Sequence, residues 1–571
     1  MTTIDPPQDA ELLAELVTLP VDTGWDRFEA WLVKASDRLN PILVKEARQA
    51  LRSRQFVITF LLMLAAGWLW SIVGLASIGP SVYYAAEGPR MLFVYHLILS
   101  FPLLVVAPYS AFHSLSSERQ DRTYELLSIT ALGARQILSG KMCAILLQMM
   151  VYLSAIFPCL AFTYLLRGLD IFTIVLVVSY TCLLSLALSA TGLLLGAIAP
   201  LRQRHIGVSV VLAIALFAAL FFENLVIFQL VYYGGLAVVT SEFWIIQWGV
   251  ASLFANYFAI VFLAARSQLL TVSENRSTAL RWALVAAQLT FVSWMAFAVI
   301  ASGEPEVLLG MIYFSTVFWY VCGMFLTGEA GNLSPRVKRD LPQSALGRMF
   351  VTWFTPGPGT GYMFALSNML AVTLLAFLPY RWIGAQLRNT VSANAGAGLG
   401  PNVAFGAMQT WLSPSEILGP AAVAIAYLAI YLGIGALVIR WLRRYVEVKL
   451  ALPVVVNVLL MMFGSLTPWV IQMTSPAIRN SGWTMLQAPN AVWTLAEICF
   501  DKPPLDMAAL VLLLWGVAIV VWLLNLRPLL DELRQVRVAP PQRVQAEEAA
   551  LAAEHAVPEG PKSPWDEGAE L

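Results

Sequence analysis

Two ionisable side chains, His96 and Glu223, lie inside long apolar runs of the sequence. A charged group in a membrane-spanning segment costs roughly 2.5–3.5 kcal/mol even on the lenient insertion scale, so such residues are candidates for contact with a substrate or a proton. For Glu223 the alternative is a structural position close to water, and for His96 it is packing. As two lone groups, they do not predict a proton relay.

A charged segment between two apolar runs, residues 113–141, carries a second set of candidate residues. Its polar first part is followed by a short apolar patch, and Gly140-Lys141 opens the next apolar run. A loop that exposes apolar and charged side chains together is typical of a docking surface for another protein. The candidate residues are Glu118, Arg119, Thr123, Tyr124, Glu125, Leu126, Leu127, Gly140 and Lys141.

The sequence shows no pattern for catalysis, metal binding or nucleotide binding. The histidines are scattered, no cysteine belongs to a C-x-x-C pair, and Cys499 is expected in a loop. The Gly140-Lys141 pair is followed by Met142, whereas a phosphate loop requires Ser or Thr there. We therefore expect no enzymatic activity and no cofactor in this chain. A net charge of zero gives no reason to expect a nucleic-acid partner.

The elements that must position these residues are membrane-spanning helices. Hydrophobic residues make up 59% of the chain and charged residues only 12%, about half the usual share of a soluble domain. Apolar segments of about 20 residues can cross a bilayer as helices. Twelve are predicted, over 56–79, 91–112, 142–166, 171–199, 206–232, 244–265, 280–302, 306–327, 363–380, 416–440, 450–473 and 506–526. The fold class is thus an all-α integral membrane protein.

The distribution of positive charge predicts the orientation of these spans. With the amino terminus inside, 29 of the 35 Lys and Arg residues lie in or beside cytoplasmic segments and 6 on the outer side. Cytoplasmic loops carry such an excess of Lys and Arg. We therefore expect a multi-pass protein of the cell membrane, of a bacterial plasma membrane in particular, with both termini in the cytoplasm and the lipid bilayer as its surroundings.

The first 55 residues are predicted to form a cytoplasmic arm that ends in an amphipathic elbow helix. The segment "LNPILVKEARQALRSRQF" places apolar residues at helical spacing, with basic residues on the other face. Asn40-Pro41 fits a helix start because Pro is favoured at the first helical position. Such a helix is expected to lie in the membrane interface, although the segment also fits a plain run of positive anchors.

The loop signature resembles that of type-2 ABC exporter permeases. The matching residues are Glu118-Arg119, Arg122-Thr123-Tyr124-Glu125-Leu126-Leu127, Ala131-Leu132 and Ile137-Leu138-Ser139-Gly140-Lys141, together with the preceding elbow helix. The likeness covers about residues 40–265; Arg122 stands where the family has Gly, and Thr130-Ala131 where a Pro is common. The resemblance implies that the loop is the coupling element pushed by a separate ATPase subunit, which holds ATP and Mg²⁺. It also implies short re-entrant helices near the outer face around Glu223.

The resemblance suggests a division of the chain into four parts. These are the arm (1–55), a six-span permease unit (56–265), a second six-span half (266–526) and a partly disordered cytoplasmic tail (527–571). The second half is either a divergent repeat or an unrelated membrane extension. If it is a repeat, its long inner loop is a second candidate coupling loop, with Arg336, Lys338, Arg339 and Arg348.

The leading functional hypothesis is a permease subunit of an ATP-driven exporter, acting with a separate ATPase and as a homodimer or with a second permease subunit. A secondary transporter or a lipid scramblase, which needs no ATPase, is the alternative. The scarcity of carboxylates within the spans argues against secondary transport, and no cluster of His, Asp or Glu supports a membrane-embedded enzyme.

Overall fold

The structure is a computed structural model that describes residues 40–556, except 81–83, 122–132, 199–201, 233–239, 272, 305, 332, 340, 343, 397–413, 447, 449–450, 501–506, 536–537 and 539–540. Within these ranges the chain is helical, with no strand. Twelve helices are long and apolar enough to cross a bilayer. The predicted all-α membrane fold with about twelve spans is therefore confirmed.

Residues 1–244 form a first compact unit, called unit 1. Its second span is divided into two α-helices by a π-helical segment. In chain order the elements are α1 (Pro41–Arg52), α2 (Arg54–Ile78), α3 (Gly88–Phe101), the π segment (Pro102–Val106), α4 (Ala107–Gln120), α5 (Ala134–Leu165), α6 (Ile171–Ile198) and α7 (Arg202–Tyr232).

Residues 245–571 form a second compact unit, called unit 2, and the helix α8 (Ser241–Leu269) begins at the boundary. The position suggested by the sequence, after residue 265, lies near the end of that helix. The remaining elements are α9 (Thr278–Ser302), α10 (Val307–Leu326), α11 (Pro335–Arg339), α12 (Ala345–Thr352), α13 (Pro358–Gly396), α14 (Pro414–Leu442), α15 (Ala451–Thr474), α16 (Ala491–Phe500), α17 (Met507–Leu533) and α18 (Gln542–Ala556).

The π segment in the second span follows from its sequence. Pro102 has no N–H to give to the preceding turn, and Pro108 follows within the next two turns. Inside a bilayer, the backbone groups freed in this way must find partners within the protein. The Ser185 hydroxyl of α6 donates a 2.5 Å hydrogen bond to the Leu103 carbonyl. A polar side chain of a neighbouring span thus stabilises the break.

Small residues allow α4 and α6 to pack closely. A Cβ atom added at Gly192 would lie 2.5 Å from the carbonyl oxygen of Pro108, and one at Gly196 would lie 2.7 Å from that of Phe112. Spans associate through such close backbone contact because lipid provides little hydrophobic driving force between them. These glycines therefore fix α6 against the part of span two that follows the π segment.

The core of unit 2 is built around α10, α13 and α14. Trp319 is fully buried and packs edge-to-face on Phe364, and the Tyr362 hydroxyl donates to the Ala429 carbonyl at 2.9 Å.

Two expectations from the sequence differ from the structure of unit 2. The ninth span is longer than 363–380, since its apolar part covers Pro358–Arg381. The expectation of a loop at Cys499 is wrong, because this residue is buried in the apolar helix α16.

Candidate functional site

The predicted elbow helix is present as α1. The Asn40 side chain accepts a hydrogen bond from the Ile42 backbone N–H at 3.0 Å, and Pro41 occupies the first turn, so the predicted start is confirmed. The helix ends at Ser53, whose hydroxyl accepts from the Phe56 N–H and begins α2. Ile42 and Glu46 are buried, whereas the basic residues of the helix are exposed.

Lys141 is the centre of a buried ionic cluster in unit 1. Its ammonium Nζ lies 2.9 Å from Glu46 Oε1, 3.0 Å from Glu118 Oε2 and 2.8 Å from Ser114 Oγ. These partners come from α1 and α4, whereas Lys141 belongs to the first turns of α5. We call these four residues the Lys141 cluster. A buried charge is tolerated only when it is paired and hydrogen-bonded, and the Lys141 ammonium has two carboxylates and a hydroxyl within 3.0 Å.

Gly140 allows the cluster to form. A Cβ atom at this position would lie 2.8 Å from the Ile42 Cβ, so any side chain would push α1 away from α5. Asn40 reinforces the contact by donating from Nδ2 to the Gln136 carbonyl at 2.6 Å. The absence of a side chain at residue 140 is thus what brings the Glu46 carboxylate within reach of the neighbouring lysine.

Lys45 connects the cluster to solvent. Its Nζ lies 2.9 Å from Glu118 Oε1 and its side chain is about half exposed. Partial burial acts to lower the pKa of Lys45, but the hydrogen bond and charge of Glu118 outweigh it and leave that pKa raised. A cavity of about 340 Å³ opens here, lined by polar groups that include Gln49, His113 and Gln148.

The structure brings some of the predicted loop residues together and leaves others undescribed. Glu118, Gly140 and Lys141 meet at α1 as described above. The Arg119 guanidinium donates to the Ala197 carbonyl near the end of α6. Thr123, Tyr124, Glu125, Leu126 and Leu127 lie outside the described residues, so their docking role stays a prediction. Glu46, which the sequence reasoning treated only as part of the elbow, is an addition to the site.

His96 and Glu223 are in direct contact, so the expectation of two lone groups is wrong. The His96 Nε2 atom lies 2.9 Å from Glu223 Oε1 and 2.9 Å from Thr181 Oγ1, and the Thr181 hydroxyl donates to the same Glu223 oxygen at 2.8 Å. We call these three residues the His96 triad. Thr181 was missed because a threonine within an apolar run carries no signal of its own.

The expectation of short re-entrant helices around Glu223 is also wrong. This residue lies in the continuous helix α7, and its side chain is only 8% exposed, so it does not reach water. The next residue, Asn224, donates from Nδ2 to the Ser100 hydroxyl of α3 at 3.1 Å. The hydrogen bonds of two consecutive polar residues therefore connect α7 to its neighbours.

Unit 2 has its own buried cation, Arg281, which begins span seven in α9. Its Nη2 lies 2.6 Å from Glu329 Oε2, its Nη1 donates to the Trp353 carbonyl at 2.7 Å, and its Nε donates to Ser277 Oγ at 2.9 Å. Glu329 lies three residues after the end of α10, and Glu118 lies in the last turn of α4. The sequence reasoning counted Arg281 only as a positive anchor, because nothing local distinguishes a buried from an exposed arginine at a span end.

Two further charged residues hold the same region of unit 2. The Glu532 carboxylate accepts from the backbone N–H groups of Gly359 at 3.0 Å and Thr360 at 2.7 Å, in the first turn of α13. The Arg443 guanidinium donates to the Gly328 carbonyl at 2.7 Å. Burial lowers the pKa of Arg443, partly offset by the charge of Glu532.

The residues of the second candidate coupling loop lie on the two short helices between α10 and α13. Arg336 is exposed and Lys338, Arg339 and Arg348 are half-buried. Val337 packs with two other buried residues, Leu333 and Leu341. Positive charge is thus presented by a small packed element, and whether it couples to a partner stays a prediction.

Among the described residues, no group of three or more His, Cys, Asp or Glu side chains is arranged to hold a metal ion. No protein-family model, no characterised protein and no solved structure matches this chain. The described polar arrangements that bear on function are the Lys141 cluster, the Arg281–Glu329 ion pair and the His96 triad.

Proposed function

We propose that this chain is the permease subunit of an ATP-driven ABC transporter of the exporter type, in a bacterial plasma membrane with both termini in the cytoplasm. ATP and Mg²⁺ would be bound by a separate ATPase subunit. The permease would act as a homodimer or with a second permease subunit. The proposal combines the loop signature at residues 118–141 with the positive charge on one side of the spans.

The Lys141 cluster is the observation that carries the proposal. Glu118 and Lys141 lie on either side of the segment 122–132, and the Lys141 ammonium binds both Glu118 and Glu46 of α1. A force applied to that segment would therefore act on the ends of spans two and three and on the elbow helix together. The break at the π segment gives span two a place to bend.

A second six-span permease unit within the same chain is part of the proposal. It is supported by Glu329, which lies three residues after the second span of its half and binds a buried cation, as Glu118 in the last turn of the second span does in the first half. The loop that carries Arg336 and Arg348 would then contact the ATPase as well.

Co-purification tests this function. The tagged full chain is expressed with its native gene neighbourhood, extracted in mild detergent and assayed for a co-eluting ATPase. Glu125→Lys and Leu127→Asp are expected to reduce the amount of bound ATPase because they change the charge and apolarity of the docking segment. Glu547→Lys, the same charge reversal at an exposed position of α18, is the matched control. Absence of any ATPase from the wild-type preparation would refute the proposal.

Secondary transport is the second candidate, and the His96 triad is the observation that favours it. An intramembrane carboxylate paired with a histidine is typical of proton-linked transporters. The same preparation separates the two functions. Transport into liposomes that follows a proton gradient without ATP, in the absence of an ATPase partner, would support secondary transport. Lipid movement that needs neither ATP nor a gradient would identify a scramblase instead.

A further inference from the structure

The His96 triad lies deep within unit 1, away from the Lys141 cluster. At 1.5 Å per residue, His96 and Thr181 lie about 12–15 Å along the helix axis from the first residues of α3 and α6. Glu223 lies at a similar distance from the last residue of α7. A hydrocarbon core is about 30 Å thick, so the triad is surrounded by membrane-embedded helices. The exposed fractions of the His96 and Glu223 side chains are 1% and 8%.

The charge of the triad depends on one proton. A neutral imidazole beside an ionised carboxylate would leave an isolated negative charge at this depth, which is the costly arrangement. One additional proton, carried by His96 or by Glu223, makes the pair neutral overall. The 2.9 Å contact between His96 Nε2 and Glu223 Oε1 is a hydrogen-bond distance at which either group can carry it.

No other charged side chain on the described helices around the triad is placed to compensate that charge. Along α3, α6 and α7 the nearest ones in sequence are Arg90 and Asp170 at the span ends, and α2 has no ionisable side chain between Gln55 and its end. The helix α5 carries Arg135 and Lys141 near its start, and Lys141 binds Glu46 and Glu118. The helix α7 carries Arg202, Arg204 and His205 at its start, 18 or more residues before Glu223. The remaining titratable groups of α3, α5, α6 and α7 are phenols and thiols, which are uncharged at neutral pH. They are Tyr95 on α3, Cys143, Tyr152, Cys159 and Tyr164 on α5, Tyr180 and Cys182 on α6, and Tyr232 on α7.

Two atoms of the triad have unused hydrogen-bonding capacity. His96 Nδ1 and Glu223 Oε2 are buried and make no hydrogen bond among the described residues, and the same holds for Asn224 Oδ1. A buried polar atom without a partner calls for an explanation, and a role in binding is one such explanation.

We propose that His96, Thr181 and Glu223 form a proton-binding site inside unit 1, and that the bound proton holds α3, α6 and α7 together. The proton comes from water and returns to water, and no bond between heavy atoms changes. Loss of the proton leaves the carboxylate charge unbalanced, so that hydration of the site and separation of the three helices become favourable. The site does not depend on the presence of an ATPase partner.

A proton count by pH linkage tests the site. Unfolding of the full chain in detergent micelles is measured against pH for the wild type and for the His96→Gln/Glu223→Gln double variant. Above about pH 7.5, one unit above the ordinary pKa of histidine of about 6.5, the unfolded wild-type chain binds almost no proton at either residue. If the folded triad retains one, the unfolding equilibrium constant rises about tenfold per pH unit relative to the double variant, until the folded triad itself loses the proton. An identical pH dependence of the two proteins would overturn the proposal.

A second measurement leaves the triad intact. The chain has four histidines, so His113→Gln, His205→Gln and His555→Gln together leave His96 as the only imidazole for nitrogen NMR of ¹⁵N-labelled protein. None of the three replaced residues belongs to the triad. We expect the His96 signals to stay constant between about pH 5 and 8, because the pair keeps its proton throughout. An imidazole that titrates near its free value of about 6.5 would overturn the proposal.

Discussion

Replacement of Lys141 by methionine should destabilise unit 1 far more than the same replacement of Lys45, which lies beside the cluster. Lys141→Met keeps the aliphatic stem but removes the ammonium from between Glu46 and Glu118, which bind it at 2.9 and 3.0 Å. Breaking a buried ion pair by removal of one partner costs about 3–5 kcal/mol. We expect a loss in this range, because two carboxylates are left close together in a buried position.

Lys45→Met is the matched control. Lys45 binds the same Glu118 carboxylate, but its side chain is 51% exposed. Exposed ion pairs contribute about 0–1 kcal/mol, because solvent screens them and ordering the side chain costs entropy. The two variants therefore make the same chemical change at a buried and at an exposed partner of one carboxylate. The assay is denaturant or thermal unfolding in nanodiscs, followed by tryptophan fluorescence.

The pH dependence of Lys141→Met gives an independent test. In the folded variant the two carboxylates repel each other, so one of them binds a proton more readily than in the unfolded chain. Stability of the variant should then rise relative to the wild type as the pH falls towards about 4.3, the ordinary pKa of glutamate. Glu46→Gln in the same chain should recover part of the loss. The reasoning is refuted if Lys141→Met costs no more than Lys45→Met.

Three further predictions use the same unfolding assay. Gly140→Val should lower the free energy of unfolding by about 1–3 kcal/mol through overpacking against α1. Gly207→Val is the control and should have little effect, because an added Cβ there meets nothing within 4 Å. Equal effects of the two substitutions would contradict the close contact at Gly140. Arg281→Lys should lower the free energy of unfolding by about 1–3 kcal/mol, because an ammonium cannot bind the glutamate and the backbone carbonyls at the same time as the guanidinium does. An unchanged stability would mean that the positive charge alone is sufficient at this position. Asp170→Ala should cost about 0.5–2 kcal/mol through loss of the cap of α6. The hydrogen bonds from Thr173 lower the pKa of Asp170, so the wild-type advantage should be present above about pH 3.9 and disappear as the pH falls through the lower folded value.

The spans and the start of α1 could be predicted because their signals are local. Long apolar runs identify the twelve helices, and Asn40-Pro41 supplies both a side-chain acceptor and a fixed φ angle at one helix start. The loop signature drew attention to Glu118 and Lys141 for the same reason. The break in span two was missed, although Pro102 and Pro108 are visible in the sequence. Proline is tolerated in a membrane-spanning helix, and the neighbouring helices determine how the backbone adjusts around it.

The pairing of distant residues could not be predicted because it depends on which helix faces meet. His96 and Glu223 belong to different spans, and their contact is fixed by the rotation and tilt of α3 and α7. Packing of small residues sets these quantities, and the composition of each span does not reveal them. Arg281 illustrates the same limit, because burial of its guanidinium is decided by the carbonyls of Trp353 and Gly357, which lie far along the chain, beyond the next span.

The charged residues at the span ends follow one electrostatic rule. Glu118 lies in the last turn of α4 and Glu329 lies three residues after α10, so each places a negative charge near the negative end of a helix dipole, which is unfavourable without a cation. Each binds a buried cation, Lys141 or Arg281. Glu532 is the opposite case, since it accepts hydrogen bonds at the first turn of α13, where the dipole favours negative charge. The buried cations therefore offset the unfavourable position of these two glutamates at the ends of their helices.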